Sequence, residues 1–170
     1  MIRRPAVHKA IHAAALATLL VSFASSAQDV VRYPIPNSHF PISAAVEVPA
    51  GKATIYLSGN VPPVADAKAP KDSLAAYGNT ETQTIGALTH IQQQLQAMHL
   101  DMGDIVKMNV FLVGDAEHGG QMDFAGFMAG YTKFFGTKEQ PKLPARSAVQ
   151  VAALANPGFR VEIEVTAVRP

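Results

Sequence analysis

The stretch from Val161 to Val168 constrains the fold of this chain more than any other part of the sequence. Apolar residues alternate there with polar ones. The apolar set is Val161, Ile163, Val165 and Ala167, and the polar set is Glu162, Glu164 and Thr166. Because successive side chains of a β-strand point to opposite faces of the sheet, this pattern predicts a strand with one face in a hydrophobic core. The other face carries carboxylates and lies outside that core.

The remaining periodic segments predict further strands and two helices. Strands are predicted at residues 43–48, 53–58, 105–113, 146–154 and 160–168. One helix of about 19 residues is predicted to begin near Glu81, and a second helix is predicted over 121–135. Each helix carries one apolar stripe, and 48% of the residues are hydrophobic. The order β-β-α-β-α-β-β therefore predicts an α+β domain with both helices on one face of a mixed sheet. Residues 60–78 are predicted to form a long loop with a short helical turn at Ser73–Tyr77.

Two turn signals predict how neighbouring strands pair. Residues 49–52 (Pro-Ala-Gly-Lys) predict a hairpin between the first two strands, and residues 155–158 (Ala-Asn-Pro-Gly) predict a β-turn between the last two. Arg146 shares one face of its strand with Ala148, Gln150 and Ala152. We therefore expect Arg146 to meet Glu162 and Glu164 across neighbouring strands. Routine ion pairs on a solvated sheet face explain the same pattern, and the residues alone leave both interpretations open.

The N-terminal 27 residues differ in composition from the rest of the chain. A basic start (Arg3, Arg4 and Lys9) precedes the uncharged run 10–24, and Ser25-Ser26-Ala27 follows. This is the layout of a secretory signal peptide. A run of 15 residues spans about 22 Å as a helix, which is short for a permanent membrane span. We therefore predict a signal peptide at 1–27, an irregular arm at 28–40, one domain at 41–170, and a periplasmic or secreted protein that is not held at a membrane after cleavage.

Charge and cysteine content exclude several classes of function. The chain has 14 Lys and Arg against 13 Asp and Glu, and without residues 1–27 the balance is 11 against 13, a net charge of −2. Such a charge gives no electrostatic basis for a nucleic-acid partner. The absence of cysteine excludes disulfides, thiolate metal sites and a cysteine nucleophile.

Common catalytic and metal-binding motifs are missing. Outside the N-terminal segment the histidines are scattered, and only His118, with Asp115, Glu117 and Asp123, lies near several acids, where a solvated acidic loop is the simpler interpretation. The sequence has neither a G-x-S-x-G nucleophile elbow nor a glycine-rich phosphate loop. We predict no metal and no cofactor.

Several segments resemble one known family. LPARSAVQVAAL at 143–154, followed by VEIEVTAVRP at 161–170, resembles the signature of the reactive-intermediate deaminase family, also called Rid or YjgF. IYLSGNVP, GDIVKMNVFLV and YTKFF agree with it in order and spacing, so the resemblance covers about residues 41–170. It implies a chorismate-mutase-like fold of about six strands with two helices on one side, and a homotrimer with active sites between subunits.

The resemblance also implies roles for particular residues. Arg146 of the Pro-Ala-Arg-Ser motif matches the arginine that binds the carboxylate of a 2-imino acid, and Glu162 matches the glutamate beside the attacking water. A planar guanidinium suits a carboxylate because it offers two parallel donors. Ser58 and Gly59 match residues that line the pocket. The implied reaction is cofactor-independent hydrolysis of 2-imino or enamino acids to 2-keto acids and ammonia.

Three positions depart from the family pattern. Ile42 stands where a tyrosine is frequent, Met128 where asparagine is frequent, and Ala148 where cysteine is frequent. The departures make the predicted pocket more apolar, so the substrate is expected to differ from that of the well-characterised deaminases. The alternatives are a non-catalytic trimer that binds small carboxylates in the same cleft, and an endoribonuclease, which the net charge disfavours.

Overall fold

A computed structural model describes residues 28–170, and the signal peptide predicted for 1–27 lies outside the described residues. A mixed sheet has six strands in the order β1-β2-β5-β4-β6-β3. The strands are β1 (Val31–Pro34), β2 (Ser43–Glu47), β3 (Thr54–Asn60), β4 (Ile105–Val113), β5 (Ala145–Val151) and β6 (Val161–Val168), and the helices are α1 (Thr80–Ala97) and α2 (Phe124–Tyr131). Both helices pack on one face of this sheet. The predicted α+β, chorismate-mutase-like fold is confirmed.

The hydrophobic core lies between the sheet and the helices because the central strands alternate. Met108, Val110 and Leu112 of β4 are at most 1% exposed. The helices cover them with fully buried side chains, which include Leu88, Ile91, Leu95, Phe127 and Tyr131. Burial of each such side chain contributes about 1.5–3 kcal/mol relative to exposure. The opposite face of the sheet carries the other side chains of β4 and β6, which include those of Lys107, Asn109, Glu162 and Glu164. This face is only partly buried.

The helix boundaries follow from their capping residues. The side chain of Asn79 accepts a hydrogen bond from the N–H of Thr82 at 2.9 Å, which confirms the predicted start of α1. Beyond α1, His99 adopts a left-handed φ of 58°. Helix α2 is shorter than the predicted 121–135 because Asp123 caps its first turn and the chain after it tightens into i to i+3 bonds. No helix within residues 28–170 is long and apolar enough to cross a bilayer.

The predicted hairpin between β2 and β3 is wrong. Strand β2 lies between β1 and β5, whereas β3 pairs with β6 at the opposite edge of the sheet. The connection over residues 48–53 is longer than a typical hairpin loop of about two to five residues, so its turn residues redirect the chain without pairing its neighbours. The predicted irregular arm is also wrong for Val31–Pro34, which forms β1. Arg32 holds this strand in place through three hydrogen bonds to backbone carbonyls, at 2.6–3.0 Å.

The last two strands are not neighbours either. Strand β4 lies between β5 and β6, with Met108 beside Arg146 and Phe111 beside Glu162. Because Met108 and Phe111 belong to opposite phases of β4, Arg146 and Glu162 lie on opposite faces of the sheet. The expected meeting of Arg146 with the carboxylates of β6 is therefore wrong within one chain. Strand β5 ends earlier than predicted, and the connection over 152–160 crosses β4.

Side-chain hydrogen bonds fix the long loop between β3 and α1. The loop contains the predicted helical turn, a 3-10 turn at Leu74–Ala76. Gln83 of α1 is fully buried and donates to the carbonyls of Gly78 and Gly158 at 2.8 and 2.9 Å. Its amide oxygen accepts from the N–H of Arg160 at 2.6 Å. One buried amide therefore connects the loop, α1 and the β5–β6 connection.

Candidate active site

Strand β5 places the guanidinium of Arg146 beneath α2, on the helix-covered face of the sheet. Its Cζ lies 4.2, 4.9, 5.4 and 6.0 Å from the ring centroids of Tyr131, Phe127, Phe40 and Phe124. Three of these rings belong to α2 and share one side because their spacing follows the helical period. The fourth comes from the segment before β2. The negative faces of aromatic rings attract a cation, so these four rings form an aromatic cage that holds the guanidinium.

The caged guanidinium has unused hydrogen-bonding capacity. Nη1 of Arg146 is buried and has no hydrogen-bond partner among residues 28–170. Nη2 donates to Sδ of Met128 at 3.3 Å, and a thioether is a weak acceptor. Within the described part of the chain, no carboxylate forms an ion pair with it. Burial lowers the pKa of Arg146 from its usual value, but a guanidinium stays protonated at working pH. The site can therefore bind a planar anion, above all a carboxylate.

Tyr131 fixes the segment that completes the cage. Its hydroxyl donates to the carbonyl of Pro41 at 2.9 Å, and the residue is fully buried. Burial raises the pKa of Tyr131 well above its usual range, so the hydroxyl keeps the proton that it donates. This bond holds Pro41 against α2, where Phe40, the residue before it, stacks on Phe124.

Three of the predicted binding residues lie in the same region as Arg146. Met128 touches the guanidinium through its sulfur. Ala148 follows two residues later on the same face of β5 and packs against the core. Ile42 is half-buried and precedes β2, the strand beside β5. All three are apolar, as the sequence predicted.

Glu162 belongs to a second group of residues, on the other face of the sheet. The register between β3 and β6 shifts between Leu57 and Asn60, so Ser58 and Gly59 form a bulge. The buried Asn60 supports this bulge by donating from its amide to the carbonyl of Ser58 at 2.8 Å. A Cβ on Gly59 would collide with the carboxylate of Glu162. Glycine at this position therefore allows that carboxylate to lie directly on the backbone of the bulge.

The structure thus separates the predicted site residues into two half-sites. The arginine half-site contains Arg146, Met128, Ala148 and Ile42, and the glutamate half-site contains Glu162, Ser58 and Gly59. The sheet itself, with β4 between the two strands, lies between the half-sites. The first can bind an anion, and the second offers a carboxylate that lies against the backbone of the bulge. Residues 28–170 contain no cluster of three side chains suited to hold a metal ion.

Sequence reasoning missed the aromatic cage. The stripe of Phe124, Phe127 and Tyr131 was interpreted only as the packing face of a helix, and Phe40 fell in the predicted arm. No local signal could have found the cage, because it depends on how α2 packs over β5 and because Arg146 was expected to pair with the carboxylates of β6.

The comparisons with known proteins identify the family and the fold. The family model described as Endoribonuclease L-PSP matches residues 35–169. Mouse 2-iminobutanoate/2-iminopropanoate deaminase is 35% identical over 134 residues, which cover 79% of this chain and 85% of the mouse protein. The crystal structure of the Escherichia coli YjgF gene product is 32% identical, with a TM-score of 0.53 over 79% of this chain and 93% of that one. E. coli TdcF with bound serine is 28% identical, with a TM-score of 0.53 over 84% and 99%. The chain therefore belongs to the Endoribonuclease L-PSP family, also known as the YjgF or Rid family.

Proposed function

We propose that this protein hydrolyses reactive 2-imino acids, or their enamine tautomers, to 2-keto acids and ammonia. The observation that carries the proposal is the buried Arg146 guanidinium, whose Nη1 lacks a partner within the described residues. A buried cation of this kind is expected to bind an anion. Relatives from mouse and Salmonella typhimurium are named 2-iminobutanoate/2-iminopropanoate deaminase, and such substrates carry a carboxylate beside the reacting C=N bond.

The proposed reaction needs only water as a second reactant. The substrate carboxylate displaces Sδ of Met128 and forms two parallel hydrogen bonds with Arg146. Glu162 accepts a proton from water as the oxygen attacks the carbon of the protonated imine, and the C=N electron pair moves to nitrogen. The proton then passes to the nitrogen of the tetrahedral carbinolamine. The C–N bond breaks as the C=O bond forms, and the hydroxyl proton passes through Glu162 to the departing ammonia. The products are the 2-keto acid and ammonium.

A second copy of the chain would bring the two half-sites together. Arg146 and Glu162 lie on opposite faces in one chain, so a ligand on Arg146 would meet a glutamate from a neighbouring subunit. Two exposed side chains on the face of the sheet that the helices do not cover support self-association. Tyr56 is 80% exposed and Val149 is 48% exposed. We propose a homotrimer with active sites between subunits, in which each subunit contributes one arginine half-site and one glutamate half-site.

Subunit mixing tests the shared site. At a substrate concentration far below the raised KM of Arg146→Lys, this variant and Glu162→Gln are each expected to show little activity alone. If each site takes Arg146 from one subunit and Glu162 from the next, random mixing of equal amounts restores about a quarter of the sites. The variants are denatured together, refolded and assayed, with each variant refolded alone as the control. Without any recovery in the mixed sample, the shared site would be rejected.

An imine-trapping assay tests the activity itself. An amino-acid oxidase produces the imine, semicarbazide traps it, and a deaminase lowers the yield of semicarbazone. We expect Glu162→Gln to lower kcat by about 10²- to 10⁴-fold, because it removes a general base. Arg146→Lys should mainly raise KM, because a lysine cannot form the planar pair. Arg169→Ala is the matched control, since its exposed guanidinium only donates to the carbonyl of Met98. Equal rates of imine hydrolysis for wild type and Arg146→Lys would show that Arg146 does not bind the substrate carboxylate.

The alternative is a trimer that binds small carboxylates in the same cleft without turnover. The guanidinium of Arg146, which has no ion-pair partner within the described residues, supports this alternative as well as it supports the deaminase, because carboxylate binding needs Arg146 but not Glu162. A 2-keto acid would then stabilise the protein against heat while every imine tested decays at its uncatalysed rate. Stabilisation that depends on Arg146, without product, would select this alternative.

We also propose that the protein is exported and that residues 1–27 are removed. The basic start, the apolar run and the small residues before Gln28 support this proposal. N-terminal sequencing of protein from the periplasmic fraction should give Gln28 as the first residue. A full-length chain confined to the cytosol would contradict the proposal.

A further inference from the structure

The walls of the arginine half-site are apolar where a ligand can reach them. Phe127 and Tyr131 are fully buried, whereas Phe40 is 40% exposed. Phe40 and Phe124 stack with their ring centroids 6.5 Å apart and an angle of 20° between the planes. They form the solvent-facing end of the aromatic cage. A ligand whose carboxylate reaches Arg146 therefore lies beside these two rings.

Phe40 also lines a neighbouring cavity of about 320 Å³. Its other apolar walls include Ile35, Ile42 and Leu143. The Ser43 hydroxyl, which also lines it, already donates to the Leu143 carbonyl at 2.7 Å. The guanidinium of Arg32 is likewise bonded to backbone carbonyls. Ser38 and His39 also line it and are exposed to solvent, and the Ser38 hydroxyl accepts from the N–H of Phe40 at 3.1 Å. The rest of the cavity surface is mainly apolar, and its volume is within the range of about 300–1,000 Å³ that is typical of small-molecule sites.

Resting on the proposed function, we infer that this cavity receives the substrate side chain and that the preferred substrates are 2-imino acids with branched or aromatic apolar side chains. Phe40 is the residue shared by the guanidinium cage and the cavity, and Ile42 is the predicted binding residue that lines the same cavity. An amide or hydroxyl side chain would find hydrogen-bond partners only at Ser38 and His39 and would face apolar surface elsewhere in the cavity. A one-carbon side chain would leave the cavity unfilled.

Met128 fits the same preference. Its sulfur contacts Nη2 of Arg146 at 3.3 Å and would leave that position when a carboxylate binds. The unbranched, polarizable thioether can then repack against an apolar substrate side chain. A polar side chain at position 128, such as an amide, would instead offer a hydrogen bond to small polar substrates.

The test compares imines of different side chain at matched concentration. Imines derived from leucine, phenylalanine, alanine and asparagine are generated in place, and leucine and asparagine are close in shape but differ in polarity. We expect kcat/KM for the leucine imine to exceed that for the alanine and asparagine imines by about tenfold or more. Phe40→Ala should reduce this preference to less than about threefold. Tyr33→Ala is the matched control, because Tyr33 is 46% exposed and bonds to Glu47 outside the cage.

Binding of the product analogues separates this inference from the proposed function. Thermal stabilisation by 4-methyl-2-oxopentanoate and by pyruvate is measured with wild type and Phe40→Ala. Absence of hydrolysis together with stronger stabilisation by 4-methyl-2-oxopentanoate would reject the deaminase and support the apolar subsite. Hydrolysis of the alanine imine as fast as the leucine imine would overturn the subsite and leave the deaminase in place. Equal preference in wild type and Phe40→Ala would also overturn it.

Discussion

Replacing Arg146 with methionine is expected to stabilise the fold while it abolishes carboxylate binding. The guanidinium is surrounded by four rings, its Nη1 has no partner among residues 28–170, and its Nη2 contacts only a thioether there. Methionine has a similar reach and no donor to leave unsatisfied. Its flexible side chain can fill the space between the rings.

The magnitude follows from two opposing contributions. An unsatisfied buried donor destabilises the folded state by about 1–3 kcal/mol, and more when it is charged. Contacts between the cation and the rings return roughly 0.5–2 kcal/mol. We therefore expect Arg146→Met to raise the free energy of unfolding by about 1 kcal/mol. For a chain of this size, that corresponds to an increase in Tm of about 2–4 °C.

Urea unfolding of wild type and Arg146→Met, at several protein concentrations, measures this difference. Arg169→Met is the control for arginine removal at an exposed site, where a change within about 0.5 kcal/mol is expected. A 2-keto acid at 100 times its Kd should add about 2.7 kcal/mol to wild type and nothing to Arg146→Met. A loss of more than about 1 kcal/mol in Arg146→Met would refute the reasoning, because the guanidinium would then have a structural partner.

Three further substitutions test other parts of the structure. His99→Gly should raise the free energy of unfolding by about 0.5–1 kcal/mol in urea, because residue 99 has a φ of 58° that glycine adopts without strain; a decrease would contradict this. Gly59→Ala should lower the rate of imine hydrolysis at least about tenfold, because the added Cβ displaces the Glu162 carboxylate. The free energy of unfolding should change by less than about 1 kcal/mol. Unchanged activity would exclude this close contact from the mechanism. Gln83→Leu should lower the free energy of unfolding by about 2–4 kcal/mol, since three buried or partly buried backbone groups lose their partner; a change below 1 kcal/mol would show that water replaces the amide.

The parts of the fold with local signals could be predicted from the sequence. Strand β4 was predicted at its observed bounds because its apolar run is bounded by clear breaks, and α1 was predicted because its apolar residues recur at the helical period. Strand pairing was not predictable in the same way. The partner of β3 depends on which strand edge remains available after β4, β5 and β6 have packed under the helices. Tight-turn residues at 49–52 carry no information about that competition.

The candidate site divides along the same line. Arg146 and Glu162 were found from short motifs, and the apolar character of Ile42, Met128 and Ala148 was read directly from the sequence. The aromatic cage depends on how α2 packs over β5, which no local pattern encodes. The placement of Arg146 and Glu162 on opposite faces depends on the insertion of β4 between their strands, so adjacency in sequence gave the wrong contact.

Both half-sites depart from what stability alone would favour, and the departures are complementary. On one face, Arg146 is buried without an acidic partner among the described residues. On the other, Gly59 lets the half-buried Glu162 carboxylate lie against the strand backbone, although glycine costs more conformational entropy in a strand than other residues do. A chain selected only for stability would pair the arginine and replace the glycine. One half-site presents a guanidinium and the other a carboxylate, and neither has an ion-pair partner within the described residues. The sheet prevents the two from meeting in one chain. A substrate with a carboxylate at one end and an electrophilic carbon next to it, bound between two copies, satisfies both at once, which is why assembly and catalysis are expected to be lost together.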